Sequence, residues 1–492
     1  MELGDARTLA IALRDLLDQA QTTLRAAAGS SPLLSRIRGH LDRDVKDVVC
    51  VTERFPSWEH ANLQLGVEDY LRSYGGAGDW FGVSGHGREH DELVNMLMSL
   101  ERGFEQYEAG AVDYATVAVG PDETMEAVHL GLVLTSSPGG APIILGLRGM
   151  PEHGLPECRI DVLAASRADA TAARDEVTRR MREHDVFRGK ILTFGSSEHR
   201  GNELLSFMPR PELRADEIVL PPGVLDTIER HVIEVGAMAD RLRAHGQHLK
   251  RGLLLHGPPG TGKTHTVRYL MGRTPGSTVI VITGPAMQWI SQAAALARRL
   301  QPAIVVIEDV DLIAMDREYT PGGNPLLFSL LDAMDGVGAD CDVTFVLTTN
   351  RADALERALS YRPGRVDLAV EVPKPDAEGR EALIRLYGRG LRLPPDLAEV
   401  VARTEGMTAS FFKELLRRTV LTALRERESV DALTGAHLTT ALDEMLGERE
   451  ALTRSLLGGG EYGDAGPDPF DDFAEAPPFA PGPDLDLRAR YE

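Results

Sequence analysis

The sequence predicts an α/β chain: a parallel sheet sandwiched by helices, preceded by a separate α/β or α+β domain with a sheet of its own. Three observations carry this. Apolar runs of strand length at Gly252 to His256, Ser277 to Thr283, Ala303 to Ile307 and Val343 to Thr349 alternate with helical patterns, as in βαβ units. The first run ends in the glycine-rich turn Gly257-Pro258-Pro259-Gly260-Thr261-Gly262-Lys263-Thr264, which opens a helix. A second set of strand-like runs lies between Asp113 and Phe207, ahead of the chain-breaking Pro209-Arg210-Pro211.

At 492 residues the chain is too long for one core, and its length suggests roughly three domains. Hydrophobic residues make up 43% and charged residues 26%, the balance of an ordinary soluble protein. The net charge of −22 argues against a nucleic-acid groove, which needs clustered Lys and Arg. Basic residues are nearly all arginine, a bias of codon usage and not of function. Cys50, Cys158 and Cys341 are far apart and odd in number, so the expectation is a reducing compartment and no cysteine metal site. No apolar run approaches the roughly 18 residues of a membrane span, and Met1-Glu2-Leu3-Gly4-Asp5 does not open a signal peptide, so a cytoplasmic protein is expected.

Taken in order, residues 6 to 28 carry Leu9, Leu13, Leu16, Leu17, Ala20 and Leu24 at helical spacing. Such a helix is marginal alone, so its stripe must pack on its own domain or on a neighbouring subunit's copy. From Pro32 to about Arg102 the pattern is mostly helical, interrupted at Phe55-Pro56-Ser57-Trp58, with a glycine-rich loop from Gly75 to Gly87. Trp58, Trp80 and Phe81 read as core anchors in preference to ligand contacts. Strands are expected at 115–119, 127–134, 142–147, 159–163 and 189–194, with a helix from about Ala168 to Glu183. Asp113 to Phe207 shows no nucleophile, metal cluster or carboxylate pair, and the domain at 32–208 reads as a recognition or spacer domain. A linker at 209–222 then leads into a helix from Val224 to His245.

The glycine turn is a phosphate-binding loop. Its backbone N–H groups can turn inward around a polyphosphate while the following helix points its positive end at the same charge. Gly257, Pro258, Pro259, Gly260, Thr261 and Gly262 form the cradle, Lys263 reaches the outer phosphates, Thr264 ligates Mg²⁺, and His265 follows in the helix. About 45 residues on, the run Ala303 to Ile307 ends in Glu308-Asp309. Such a strand carries carboxylates to the tip of a parallel sheet, facing the nucleotide. One would hold the Mg²⁺ shell and the other orient the attacking water. The strand Val343 to Thr349 ends at Asn350, a neutral group suited to position that water or sense the γ-phosphate. Fifteen residues further, Arg362-Pro363-Gly364-Arg365 lies beyond the sheet, poorly placed for its own subunit's nucleotide and better placed for a neighbour's.

These four stretches, with Thr348 to Leu355 and Arg362 to Asp367 forming a second region of homology, resemble the AAA family of ATPases over about residues 216 to 448. The resemblance implies a phosphate-loop nucleotide domain at 223–375 and a small all-α lid at 376–450. It also implies a homo-oligomeric ring, usually a hexamer, with ATP and Mg²⁺ at the interfaces, and hydrolysis that remodels or unfolds a protein substrate. Lys263 and Thr264 then contact phosphate and Mg²⁺, Glu308 belongs to the metal, and Asp309 is the base. Asn350 is the sensor, Arg365 the arginine finger, and Ala409, in Thr404 to Ala409, lies near the adenine. Glu308-Asp309 reverses the order in many members and, with Arg-Pro-Gly-Arg-Val-Asp-Leu, is similar to the Bcs1-type branch, without that branch's membrane anchor. Leu368 stands where a second finger arginine is common, with Arg362 as a candidate helper. Those two departures leave room for a slow-turnover, ATP-regulated assembly scaffold. Trp289 falls near the position of pore-lining residues, and the sequence leans slightly to that role over a buried one.

Residues 451–492 are read as an acidic tail; from Gly458 onward Gly, Pro and Asp dominate, with nine acidic residues against Arg488 and Arg490, and it is expected to be disordered. A solubilising role is the first reading. Its end, Arg490-Tyr491-Glu492, also resembles the penultimate-tyrosine tails that dock ring ATPases on a proteasome core, which makes such a core a candidate partner.

Overall fold

The computed structural model describes residues 12–16, 19, 31–88, 91–101, 107–150, 156–195, 205–311, 325–351, 365–426 and 431–456. The N-terminal helix lies mostly outside these residues; within them 12–16 are helical and Leu13 and Leu16 are exposed. The tail beyond residue 456 lies outside the described residues altogether.

Alternating apolar residues in the first half build an antiparallel sheet. Its strands are β1 (Val49–Pro56), β4 (Asp113–Ala118), β5 (Thr124–Ser136), β6 (Pro142–Arg148) and β7 (Glu157–Ala164), in the order β1-β7-β6-β5-β4. Helices His60–Tyr74 and Arg167–Glu183 cover one face through Leu63, Val67, Ala173 and Val177. Helices Pro32–Leu41 and Leu93–Glu101 and the hairpin β2 (Gly82–Gly85) and β3 (Tyr107–Gly110) cover the other. The 32–102 stretch is therefore not all helical. Its interruption is the end of edge strand β1, whose short Val49-Cys50-Val51 run is too brief to outweigh the helical periodicity on either side.

The second sheet is built on fully buried strands: β10 (Arg251–His256), β11 (Thr278–Ile282), β12 (Ala303–Ile307) and β13 (Val343–Thr349), with β14 (Leu368–Glu371) at one edge. All pair in parallel. β8 (Ile191–Phe194) and β9 (Leu205–Met208) complete the order β14-β10-β13-β12-β11-β8-β9. The expected strand at 189–194 thus leaves the N-terminal domain's sheet and joins the second one, Ile191 to Thr193 pairing in parallel with Val279 to Val281. Periodicity names a strand but not its sheet. The helices 290–299 and 325–335 pack on one face and 224–237 and 263–273 on the other, giving two buried layers. The helix expected over Val224 to His245 is broken into Val224–Glu229, a wider π-type turn at Arg230–Glu234, and the short helices Val235–Ala237 and Ala239–Ala244.

The Pro209 to Pro222 stretch lies against this sheet domain. Arg210 donates to the carbonyls of Met271, Thr274, Gly189 and Ser277, four acceptors that fix its place. The chain divides into two bodies, one running to Leu386 and including Glu405–Phe411, the other taking Tyr387–Thr404 and residues from Phe412 on. The second body is helical, with Ala398–Arg403, most of Ala409–Glu426, and Gly435–Leu456 packed through Leu415, Leu438 and Leu442.

Within the first body the two sheet domains share charged and aromatic contacts. Arg299 bridges Glu59 Oε1 at 2.8 Å and Asp185 Oδ2 at 3.0 Å, and those carboxylate side chains are 5% and 1% exposed. Trp289 stacks on Phe194, with centroids 6.2 Å apart and planes 14° from parallel, and meets Trp58 edge-on at 6.5 Å. Trp289 is half-buried and packs between the two sheet domains, its ring against two aromatic neighbours. Burial pushes the Asp185 carboxyl up, Arg299 opposing it. Replacing Arg299 by Met leaves two buried carboxylates unpaired. Because Arg299 is 31% exposed, the expected loss in denaturant unfolding at pH 7 is about 2–3 kcal/mol, below the ~3–5 of a fully buried pair. A raised carboxyl favours folding below its pKa, so the deficit should shrink as pH falls through the acidic range.

Candidate functional site

Strands β10, β13 and β12 run in parallel with His256 opposite Thr349 and Ile307 opposite Leu347, so β12 stops two residues short of its neighbours and all three loops leave the same end of the sheet. From β10 the chain turns through Gly257 at φ +142°, where a Cβ would lie 2.3 Å from the Val372 carbonyl oxygen. Gly260, at φ +76°, accepts the Ser410 N–H at 3.1 Å, and a Cβ there would meet Ser410 Oγ at 2.4 Å. Only glycine meets both demands, so the spacing of the loop is a steric requirement. Helix Lys263–Arg273 starts at its end, with the Thr264 side chain exposed at the first turn.

Lys263 is 6% exposed, and its ammonium uses all three protons: on Gly257 O at 2.8 Å, Pro258 O at 2.9 Å and Asn350 Oδ1 at 2.8 Å. Burial pushes it down, while Asp309 and Asp311 act in the opposite sense. The Asn350 amide nitrogen donates onward to Asp309 Oδ1 at 3.4 Å. Lys263, Asn350 and Asp309, read from three separate stretches, therefore meet in one network. Glu308 stands next to it. Burial raises its carboxyl, and a hydrogen bond from the Thr264 hydroxyl lowers it. A hydroxyl and a carboxylate in contact, both at the mouth of an anion-binding loop, are the oxygen donors Mg²⁺ takes, so these residues fit that metal. Among the described residues no group of three His, Cys, Asp or Glu side chains could hold a metal by itself.

Asp309 has φ +52°, a left-handed conformation unusual outside glycine. It is held there by its N–H to Thr348 Oγ1 at 3.0 Å and by Val310 N–H to Thr348 O at 2.9 Å. Asp311, 8% exposed, accepts from Thr349 Oγ1 and the Asn350 N–H, both at 3.2 Å. Sequence reasoning assigned no role to Thr348 or Asp311; the signal was a polar pair inside an otherwise apolar strand and a third carboxylate after Glu308-Asp309. A cleft of about 180 Å³ adjoins Thr261 and is lined by Leu220, Pro221, Pro222, Gly379 and Ala409. Ala409 thus lies in the same cleft as Thr261 of the loop, with the Leu220 to Pro222 turn as a further wall. His265 lies one residue further along the helix from Thr264.

Arg365 is 8% exposed and lies at the other end of the sheet. Its carbonyl oxygen would be 1.7 Å from a Cβ on Gly252, near the start of β10, so only glycine admits it. Along the strand that is roughly 16 Å from Gly257. The Arg365 guanidinium pairs with Asp335, Nε to Oδ1 at 3.0 Å and Nη2 to Oδ2 at 2.7 Å. The geometry does not bring Arg365 to its own chain's phosphate loop. Arg362 lies outside the described residues.

A phosphate loop, a polar sensor at the tip of the neighbouring strand and a carboxylate pair after the strand beyond it define a phosphate-loop ATPase domain. More narrowly, the domain is of the AAA family: residues 253–374 match the family described as ATPase family associated with various cellular activities. Among curated relatives, the chain is 35% identical over 223 residues to an ATP-dependent zinc metalloprotease FtsH 2 of Symbiobacterium thermophilum, covering 42% of this chain and 38% of the relative. It is 33% identical over 220 residues to a proteasome-activating nucleotidase of Pyrococcus horikoshii, covering 42% and 54%. It therefore spans about half or less of these relatives' lengths. No helix among the described residues is long and apolar enough to cross a membrane.

Thr348→Val keeps the shape of the strand and removes the acceptor that fixes Asp309. ATP turnover should fall roughly tenfold or more while the nucleotide dissociation constant stays within about threefold, a split read from steady-state kinetics and fluorescent-nucleotide titration.

Proposed function

We propose that the chain is an ATP-hydrolysing ring ATPase, a hexamer, that remodels or unfolds protein substrates. The observation that carries this is the convergence of Lys263, Asn350 and Asp309 beside Glu308 and Thr264. The loop N–H groups and Lys263 would hold the β- and γ-phosphates, drawing Lys263 from the carbonyls it now contacts. Thr264 and Glu308 would hold Mg²⁺, which supplies neutralisation of phosphate charge. Asp309, aimed by Thr348, would take a proton from the attacking water, and Asn350 would fix that water against the terminal phosphate. The cleft at Leu220 and Ala409 would take the base.

Arg365 supports the ring. Since it lies at the far end of its own sheet, the site it would serve as a finger is a neighbouring copy's, and Asp335 would hold the guanidinium in orientation meanwhile. A protein substrate is supported by the relatives, whose names are those of a protease and a proteasome-activating nucleotidase. The N-terminal sheet domain is the candidate recognition element.

The test is ATP hydrolysis with and without an unfolded polypeptide. We expect acceleration by the polypeptide, and in Arg365→Ala a loss of about 10³ to 10⁵ in turnover with ATP still bound. Turnover that is slow and indifferent to polypeptide, in an assembled ring, would favour an ATP-ordered scaffold. A monomer with unchanged turnover in Arg365→Ala would refute the shared site.

A further inference from the structure

The antiparallel sheet of the N-terminal domain ends at β4, whose outer side pairs with no other described strand. In an antiparallel pair, residues opposite each other alternate between bonded and unbonded positions. Val119 N–H donates to Glu123 O at 2.9 Å, so Val117 and Ala115, opposite Met125 and Ala127, direct their backbone groups to β5. Tyr114, Thr116 and Ala118 then turn theirs away from it. β5 shows the same alternation from its own side. Val128, opposite Tyr114, donates its N–H to Gln64 Oε1 at 3.0 Å, and its C=O accepts from His60 Nε2 at 2.8 Å, both away from β4. The N–H and C=O groups of Tyr114, Thr116 and Ala118 thus line the edge with no hydrogen-bond partner among the described residues. Tyr114 is 57% exposed, and Thr116 and Ala118 are exposed beside it, so the edge is open.

Natural sheets blunt such edges with charge, proline or shortness, because an open row of backbone groups templates another strand. The other edges of the two sheets follow that rule. β1 carries Glu53, Arg54 and Pro56, with Glu53 held by Arg174 at 2.8 Å, and β9 and β14 are 4 residues long. The run Tyr114-Ala115-Thr116-Val117-Ala118-Val119 is rich in aromatic and β-branched residues and has neither charge nor proline. Its inner face is already apolar, Val117 packing at 5% exposure with Ala61 and Ala127. Such a run at an open edge is an aggregation hazard unless something occupies it.

We propose that β4 receives an extended segment of the protein substrate, which pairs its backbone with Tyr114, Thr116 and Ala118 as an added strand and sets apolar side chains at alternate positions beside Val117. Backbone pairing reads no particular sequence, which suits a protein that meets unfolded chains. A second copy of the chain is the poorer occupant, because like-to-like pairing of β4 is two-fold, whereas a ring is closed by head-to-tail contacts. On the protein-remodelling reading, which this assignment presupposes, the N-terminal domain takes the first hold on the polypeptide.

The probe is a short fluorescent peptide of alternating Thr and Val with Lys at both ends, titrated by anisotropy into the full chain saturated with ADP. We expect it to bind, and the same peptide methylated at every central amide nitrogen to bind roughly tenfold or more weakly, since it has no N–H to donate. Thr116→Pro removes an outward N–H and leaves the β4–β5 ladder intact, so it should weaken binding by a similar factor with nucleotide affinity unchanged. Thr116→Ala keeps the backbone and should stay within about threefold of the parent. Independently of any variant, bound peptide should slow amide hydrogen exchange at 113–119 and not in β1. No binding at about 1 mM peptide, binding that survives N-methylation, equal losses in Thr116→Ala and Thr116→Pro, or exchange slowed only elsewhere would each overturn the proposal. A ring that falls apart in Thr116→Pro would give the edge to a second copy and overturn it as well. Turnover accelerated by polypeptide without peptide binding at β4 would leave the remodelling reading standing and remove this one; binding at β4 with turnover indifferent to polypeptide would do the reverse.

Discussion

The structure depends on the parallel register of β10, β13 and β12. Each is buried along its length, so a slip of one residue would turn an apolar side chain to the wrong layer. That penalty fixes His256 opposite Thr349 and Ile307 opposite Leu347. Because the register is fixed, Gly257, Glu308-Asp309 and Asn350, far apart in sequence, come to the same end of the sheet. The polar network from Lys263 through Asn350 to Asp309 is then possible with short side chains. The strand cores supply the precision, and the loops only finish it.

The N-terminal domain is tied to this frame more firmly than a tethered accessory would be. β8 and β9 extend the nucleotide sheet by two strands before the phosphate loop is reached, and Arg299 and Trp289 carry contacts from helix 290–299 and its preceding turn back to Glu59, Asp185 and Trp58. The turn at Gly284–Trp289 follows the tip of β11. A residue there that packs on another domain is constrained by that domain.

Chemistry was legible in the sequence where backbone sterics dictate residue type. Gly257 and Gly260 could be read because a Cβ at either has no room, Lys263 and Thr264 because they follow at the helix's first turn, and Glu308-Asp309 because a carboxylate pair at the end of an apolar run has no packing rationale. Strand existence was legible for the long buried runs. Partners in space were not. The strand at 189–194 carries no mark of which sheet it joins, and β1 was lost between two helical patterns. Trp289 has the same composition around it whether exposed or stacked. Thr348 acts through one hydrogen bond from the Asp309 N–H, and Asp311 through two, from the Asn350 N–H and the Thr349 hydroxyl, which no side-chain spacing announces.

Arg365 shows how the same frame constrains function at a distance. Its place is set by the close approach of its carbonyl to Gly252 and by the reciprocal pairing of Gly252 with Asp367, N–H to Oδ2 at 3.0 Å and O to the Asp367 N–H at 3.0 Å. Those contacts belong to the start of β10, while the phosphate loop belongs to its end. A β-strand buried in a packed sheet does not shorten, so the two cannot approach within one chain. A bidentate pair with Asp335 then satisfies a guanidinium whose charge would otherwise be only partly solvated. On the proposed reading, the stiffness that aligns half of the nucleotide site also forces the other half onto a different copy, and assembly follows from strand length as much as from any interface residue.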